Sequence, residues 1–585
     1  SSPQFGIGNV NAVGQGASAG YYGIYNNGSS IILHNGSHTT PASSGAWSPD
    51  DVNEVGLIAI DSDNNKIWLG VNTNASAGAS PGLYIGNSTS DAFDNTYPTI
   101  GENGYDTSFD INDGWFINVS GGGSSVWVLN CGQDPTFGGR RSGENPSSGD
   151  GGIGLFHTVP PTGFKALCTA NLPDFTPNVA DDNPEDYFKA VLYTADDSDT
   201  NEVTVGFVPD LCWFKDRFRA NYHTLIDSVR GGDRHIYSHD TQIDRLAGDG
   251  TDGILDFNSG GTNNKIKIGF HAGWGFVNAS DSSNTSNNYV LWAWKAAGSA
   301  ASSGNANLID TNNTYSSPTI ASLVSSATNA GASNVIAPSG MSINQQSGFS
   351  IIKATSNYTS PYPDAVGTFN NTVPHGLNIA PEFVIAKNLD DTQSWIVFHK
   401  HSQTSAQIAA GKSAIVLNTA AVLYTNTTGV TLQANDKVIP IGKDVVESTN
   451  ESFICYAWHS VPGYSAFGSY AGNGDNDNDD DPDPPFIYTG FSPAFVWIKS
   501  ITHGTRWYMY DNVRSTSNVN ENPLSQSEAT AEANVASPTS DNYKPIDLLS
   551  NGFKIRNDRD QINKSGESYL YCAWAEQPTK FANAR

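Results

Sequence analysis

Apolar positions in this chain fall in short runs separated by Gly, Ser, Asn, Asp and Pro, the pattern of many short strands joined by turns. In PAFVWIK, Phe495, Trp497 and Lys499 point to one side and Val496 and Ile498 to the other. Both sets are mostly apolar, which predicts a strand buried between two layers, so packed sheets follow more naturally than an open one. Alternating strands are also expected in GLIAIDSDNNKIWLGVN at 56–72, around a DSDNN turn, and in GWFINVSGGGSSVWVLNCGQDP at 114–135, around a Gly-rich turn. Asn551-Gly552 in LLSNGFKIR is a turn signal at the same relative position as LDFNSGG at 255–261.

The runs repeat. GFVPDLCWFK at 206–215 and GFSPAFVWIK at 490–499 match in residue type nearly throughout, and LNIAPEFVIAK at 377–387 is a weaker third copy. Each copy continues into an aromatic segment, YHTLIDSVR, SWIVFHK or RWYMYDNVR, and closes with a strand ending in Ala-Trp. The shared positions are Pro209, Trp213 and Trp294 in the first copy, Pro381 and Trp458 in the second, and Pro493, Trp497 and Trp574 in the third. Similar Pro-to-Trp spacing predicts one fold used three times, with these residues as its scaffold.

The fold class expected is therefore all-β, with several β-sandwich modules, concanavalin A-like or jelly-roll-like, in tandem. Residues 1–163 form a separate β domain, followed by module repeats at 164–298, 346–470 and 486–585. Between them lie a Ser/Ala/Asn/Thr-rich linker at 299–345 and an acidic loop at 471–485.

Composition narrows the partners. The chain carries 58 acidic against 30 basic residues, a net charge of −28, which repels nucleic acid and anionic membranes. No apolar stretch approaches the roughly 18 residues of a membrane span, so no membrane insertion is expected. Cys131, Cys168, Cys212, Cys455 and Cys572 are scattered, with no CxxC pair; most read as small buried hydrophobes.

Candidate chemistry is sparse. Asp475, Asp477, Asp479, Asp481 and Asp483 alternate along DNDNDDDPDPP and offer calcium hard oxygen ligands, but the spacing is not that of an EF-hand and a solvated acidic loop is the preferred reading. No cofactor is otherwise required. His399 and His401 are spaced to share a strand face, where they could contribute to a metal site, although plain structural histidines are the preferred reading. His235 and His239 are spaced for one helix face and lack a third ligand. His223, Asp227 and Ser228 lie in one segment of the repeated scaffold, unlike a catalytic triad drawn from separate loops. Aromatics in Gly-rich surroundings, Tyr105, Trp115, Tyr464 and Tyr470, are the candidates for ligand contact. No GxSxG, HExxH or phosphate-loop motif appears in its required context, so no catalytic residue is assigned. The Asn-x-Ser/Thr triplets, such as Asn27-Gly-Ser, are read as unmodified.

VGLIAIDSDNNKIWLGVN followed by VWVLNCGQDPTF resembles the C-terminal two thirds of a SPRY domain, a concanavalin A-like sandwich. Cys131 stands where that family usually has Phe, and the opening PQFGIGNVNA resembles the middle of such a domain, so its first strands are expected to be missing. The remainder, including GFKALCTANLP at 163–173, PHGLNIAPEFVIAKN at 374–388, PGYSAFGSYAGNG at 462–474 and the closing AEQPTKFANAR, resembles a repeat-containing family of tailed-bacteriophage virion proteins, especially marine ones. That resemblance implies a virion location, on the tail rather than the head. It implies a non-enzymatic tail fibre or tail-tip adhesin that assembles with itself, a trimer by analogy, and with other virion proteins, and that attaches to host cell-surface glycans. A capsid decoration or head fibre, a polysaccharide depolymerase and a secreted bacterial adhesin are the alternatives.

Overall fold

The computed structural model describes residues 4–9, 21–26, 31–34, 38–39, 55–61, 66–72, 83–85, 105–106, 115–120 and parts of 128–166. Further along it describes 183–246, most of 253–297, 307–309, 320–357, 370–402, 415–422, 434–475, 484–532 and 545–578. The chain forms two compact units, Ser1–Leu172 and Pro173–Arg585.

Among the described residues the first unit holds two antiparallel sheets. One is five-stranded, with Gln4–Asn9 between Tyr21–Asn26 and Trp115–Ser120. The other is built on the predicted hairpin, Val55–Asp61 paired with Lys66–Asn72, whose register closes at Asp61 opposite Lys66. Trp68 is fully buried and meets the Phe164 ring edge-on at 5.5 Å.

The second unit is three sandwiches, one per repeat. In each, the closing strand is central to a large sheet, antiparallel but for one parallel pair at the edge of the second: Tyr289–Trp294 in the first, Ser452–Trp458 in the second, Ser568–Pro578 in the third. One neighbour is the repeat strand, Leu211–Asp216, Phe383–Asn388 or Phe491–Ser500, in one register throughout, with Leu211, Phe383 and Phe495 opposite the closing Trp294, Trp458 and Trp574. The other neighbour is an edge-side strand, Phe188–Tyr193, Phe349–Thr355 or Ser465–Ala471. A three-stranded sheet completes each sandwich. Its hairpin in the third module turns through Ser550 and Asn551, with Leu549 opposite Gly552. A Cβ on Gly552 would lie 2.0 Å from the Ile487 carbonyl oxygen, so that position takes only glycine.

Two predicted boundaries shift. Ser465–Ala471 pairs with the third closing strand, so the third sheet begins before the acidic loop, which joins two strands of one module. Residues 299–345 are not only a linker: Asn307–Ile309 and Pro338–Asn344 extend the second sheet, and Ile320–Asn329 is helical. Small and hydroxyl side chains conceal these elements because strand propensity there is weak and context decides.

Every residue of the repeat strands Leu211–Asp216, Phe383–Asn388 and Phe491–Ser500 is buried. Cys212 and Phe214, Val384 and Ala386, and Val496 and Ile498 fill the cores of their own sandwiches. The alternate residues, Leu211 and Trp213, Phe383 and Ile385, and Phe495 and Trp497, converge on one core shared by all three modules. The second layer predicted from the alternation is thus supplied by the other modules.

Candidate functional site

The shared core is the most elaborated region of the described residues. At its centre the closing tryptophans form a triangle: Trp294, Trp458 and Trp574 have ring centroids 6.3, 5.9 and 5.4 Å apart, tilted by 63–75°. This edge-to-face packing adds about 0.5–1.5 kcal/mol per pair beyond the area buried. No polar acceptor reaches their indole N–H groups. All three tryptophans are at most 3% exposed, and Pro209, Pro381, Pro493, Trp213 and Trp497 are also buried, so the repeated positions are packing residues.

Around the triangle the modules are joined cyclically by two sets of equivalent contacts. Four residues before the aromatic strand's key Asp or His, a ring N–H is donated to a main-chain carbonyl of the adjacent module. Trp395 Nε1 reaches Tyr237 O at 2.9 Å (second module to first), and Trp507 Nε1 reaches Val416 O at 3.3 Å (third to second). His223 Nε2 reaches Ser525 O at 3.1 Å (first to third). The three acceptors occupy equivalent positions, opposite Thr224, Ile396 and Tyr508. His223 Nδ1 accepts from Trp213 Nε1 at 3.1 Å, which fixes the neutral tautomer. Burial, reinforced by the Lys215 charge, holds its pKa well below the ordinary imidazole value.

The second set lies two residues before each closing Trp. Tyr456 Oη donates to Asp227 Oδ2 at 2.7 Å, and Trp292 Nε1 donates to Asp511 Oδ2 at 3.0 Å. Asp227 and Asp511 are each clamped by an arginine three residues on: Arg230 Nε and Arg514 Nε lie 2.6 Å from the carboxylates, with both partners wholly buried. Arg230 Nη2 and Arg514 Nη2 also donate to the equivalent carbonyls of Leu225 and Met509, both at 3.0 Å. A buried ion pair is tolerated only when its remaining hydrogen-bonding capacity is used in this way.

The third copy of this junction differs on both sides together. His399 stands where the others have Asp, Ser402 where they have Arg, and Cys572 where they have Tyr456 and Trp292. A thiol is a weak donor, so His399 Nε2 donates instead to the Tyr571 main-chain oxygen at 3.1 Å. Burial, with the His401 charge, lowers the His399 pKa to about 3.

Each repeat strand ends in a buried lysine whose ammonium gathers the turn that follows. Lys215 Nζ donates to Asp216 O and Arg219 O, Lys387 Nζ to Asn388 O and Asp391 O, and Lys499 Nζ to Ser500 O and Thr505 O, at 2.5–3.2 Å. Burial lowers all three pKa values to about 8.

The residues singled out from sequence are dispersed. Tyr464 is fully buried against the Tyr187 ring, which makes it a packing residue. Tyr470 is half-buried, stacks on Tyr569 and donates to Ile562 O at 2.7 Å. Tyr105 and Trp115 begin strands of the first unit; their side chains, like Asp477, Asp479, Asp481 and Asp483, lie outside the described residues. Asp475 O accepts from the buried Asn563 Nδ2 at 2.7 Å, and no cluster of three metal-ligating side chains occurs among the described residues. His235 is on the strand Gly231–Tyr237 and His239 in the turn after it, so the helix-face spacing does not apply. Their pKa values are lowered to about 4 by burial. Ser228 Oγ donates to Asp210 at 2.6 Å while Asp227 holds Arg230, so His223, Asp227 and Ser228 serve three separate contacts. The junction role was not expected from sequence: His223, Asp227 and His399 were weighed for other chemistry, and Arg230, Trp292, Tyr456, Asp511 and Arg514 were not singled out, although the repeated Asp-x-x-Arg of LIDSVR and YDNVR was an available signal.

Comparison with known proteins bears on the second unit. No curated protein and no solved structure matches the chain. A family model described as a domain of unknown function (DUF7483) matches residues 183–336 and 306–578, the longer match running through the second and third modules together. These stretches take in all three sandwiches and more than half of the sequence: the chain belongs to the DUF7483 domain family.

Proposed function

We propose that this protein is a non-enzymatic structural component of a tailed-phage virion, a tail fibre or tail-tip adhesin that attaches to host surface glycans. The observation that carries the reading is where its strongest chemistry is spent. Asp227, Arg230, Asp511, Arg514, His223 and His399 all bind one module to another or brace a residue that does. A scaffold with its polar groups committed to its joints leaves recognition to the loops, where the copies differ. The first unit, with its hairpin and buried Trp68, is read as the concanavalin A-like part. Other virion proteins are the expected partners, and weak glycan contacts gain strength when several copies bind together.

Immunogold electron microscopy of particles from a phage encoding this chain tests the placement. Label at the tail tip is expected; label on the head makes the protein a decoration or head fibre, and unlabelled particles overturn the virion reading. Incubation with host capsule or lipopolysaccharide should leave the polymer length unchanged. Released oligosaccharides would instead identify a depolymerase.

A further inference from the structure

The copies differ on one strand face as well as in their loops. The three-stranded sheets align by core residues: Val203, Val373 and Ile487 point inward, opposite Ile266, Ile439 and Phe553. The residues on either side of each therefore point outward. In the first module these are Glu202 and Thr204, opposite Lys267 and Lys265, a charged face with Lys265 Nζ 3.1 Å from Glu202 Oε2. In the second they are Thr372 and Pro374, opposite Pro440 and Val438, and all four are buried. The helix Ile320–Asn329 lies against this strand, with Ala327 and Val438 in one buried cluster, and Ser333–Val335 pairs along the strand's other side.

In the third module the outward pair is Phe486 and Tyr488, opposite Lys554 and Gly552. Phe486 is 47% exposed and Tyr488 54% exposed, and among the described residues no strand pairs along their open edge. The Tyr488 ring lies beside Gly490, where a Cβ would sit 3.7–3.9 Å from its Oη, Cζ and Cε1. Exposed aromatics on a bare sheet edge are a surface that proteins blunt with charge or cover, as the first and second copies do. The flanking residues select what fits here. Gly552 leaves the space beside Tyr488 without a side chain. Lys554 is half-buried opposite Phe486 and has no hydrogen-bond or ion-pair partner, while Asp547 on the next strand is taken by Arg556. An apolar helix like the one at Val438 would strip the Lys554 ammonium of water and replace it with nothing. A pyranose offers a flat C–H face to the rings and a rim of oxygens to the ammonium.

We propose that Phe486, Tyr488 and Lys554 form a binding platform for a pyranose oligosaccharide, the two rings stacking on its sugar units and the ammonium bonding its oxygens. The rings are about 7 Å apart along the strand, close enough for one oligosaccharide to lie on both. The proposal rests on the adhesin reading and assigns its glycan contact to the third module.

The test measures binding of the full-length protein, by biolayer interferometry, to immobilised, delipidated surface polysaccharide from the bacterium that the encoding phage infects. Phe486→Ala and Tyr488→Ala are each expected to weaken binding about tenfold, while Phe486→Trp and Tyr488→Trp, which keep a ring, stay within about threefold of wild type. Lys554→Gln weakens binding as well, and Thr204→Ala, at the equivalent position of the first module, leaves it unchanged. Both rings are about half exposed, so circular dichroism and the melting temperature should not move in any of these variants. Wild-type protein that binds together with alanine variants that bind equally well overturns the platform and leaves the adhesin reading standing. If those variants also fail to enter particles, the face belongs to another virion protein, and the glycan assignment is overturned. Wild-type protein that does not bind the polysaccharide overturns the adhesin reading and this proposal with it.

Discussion

Replacing Tyr456 with phenylalanine removes one oxygen and leaves the ring that packs in the shared core. The oxygen is the donor to Asp227 Oδ2 at 2.7 Å across the junction of the first and second modules. A buried hydrogen bond to a charged partner contributes about 1.5–3 kcal/mol. Asp227 keeps Arg230 Nε at 2.6 Å and the main-chain N–H groups of Arg230 and Val229 at 2.8 and 3.1 Å, so its charge stays solvated by the protein. The loss therefore falls in the lower half of that range, about 1.5–2 kcal/mol. How it is read depends on whether the modules unfold together. At about 2 cal/mol/K of unfolding entropy per residue, a single cooperative transition of roughly 400 residues moves by only about 2 °C. A module of roughly 130 residues unfolding by itself would move by about 6 °C. Because Trp294, Trp458 and Trp574 share one core, the first outcome is expected: one calorimetric transition for the second unit, shifted by about 2 °C. A double-mutant cycle with Asp227→Asn isolates the contact, and a coupling energy of about 1 kcal/mol or more is expected. Coupling below about 0.3 kcal/mol, within the additivity of independent sites, would refute the claim that this bond joins the modules.

Other outcomes follow from the same geometry. Trp458→Ala opens a hole in the aromatic triangle and should cost about 3–5 kcal/mol in denaturant titrations, with loss of near-ultraviolet circular dichroism contributed by all three modules. Acid should destabilise the unit before its carboxylates titrate. His235 and His375 have pKa values lowered to about 4 and His399 to about 3, against about 6.5 when unfolded. Between pH 6.5 and 4 the unfolded chain binds more protons, so this stability is complete above pH 6.5 and falls as pH drops towards the folded values. The urea midpoint should therefore decline between pH 6.5 and 4.5, and His399→Gln, which keeps a donor for Tyr571 O, should make the decline shallower. An unchanged slope in that variant would remove His399 from the account.

Much of the fold was legible because its signals are local. Period-two alternation located the Val55–Asp61 hairpin strand and the repeat strands, and the Ala-Trp endings marked the centre of each large sheet. The alternation also showed that Phe491–Ser500 is covered on both faces, but a periodicity cannot say by what. The covering layer comes from residues such as Trp213, which meets Trp497 edge-on at 5.3 Å from the other end of the unit. The site was less legible for the same reason. Asp227 looks like a turn residue until Tyr456 is placed against it, and Tyr464, in Gly-rich sequence, looks exposed until Tyr187 covers it. His235 and His239 fit a helix period only when their strand and turn are ignored. The strand Pro338–Asn344 escaped notice because serine, asparagine and glycine carry little preference of their own and its pairing partner decides.

The substitution of His399, Ser402 and Cys572 for the residues used at the other two junctions has a consequence for how such a molecule can change over generations. In a trimer of identical subunits, one altered codon is felt at three places at once, and a defect of about 1 kcal/mol becomes about 3 kcal/mol for the assembly. Here each joint is written separately in the gene, so a change is felt once. A weakened contact can persist until a second change across the same joint repairs it, which is the history that a histidine bonded to the main-chain oxygen beside a cysteine is suited to record.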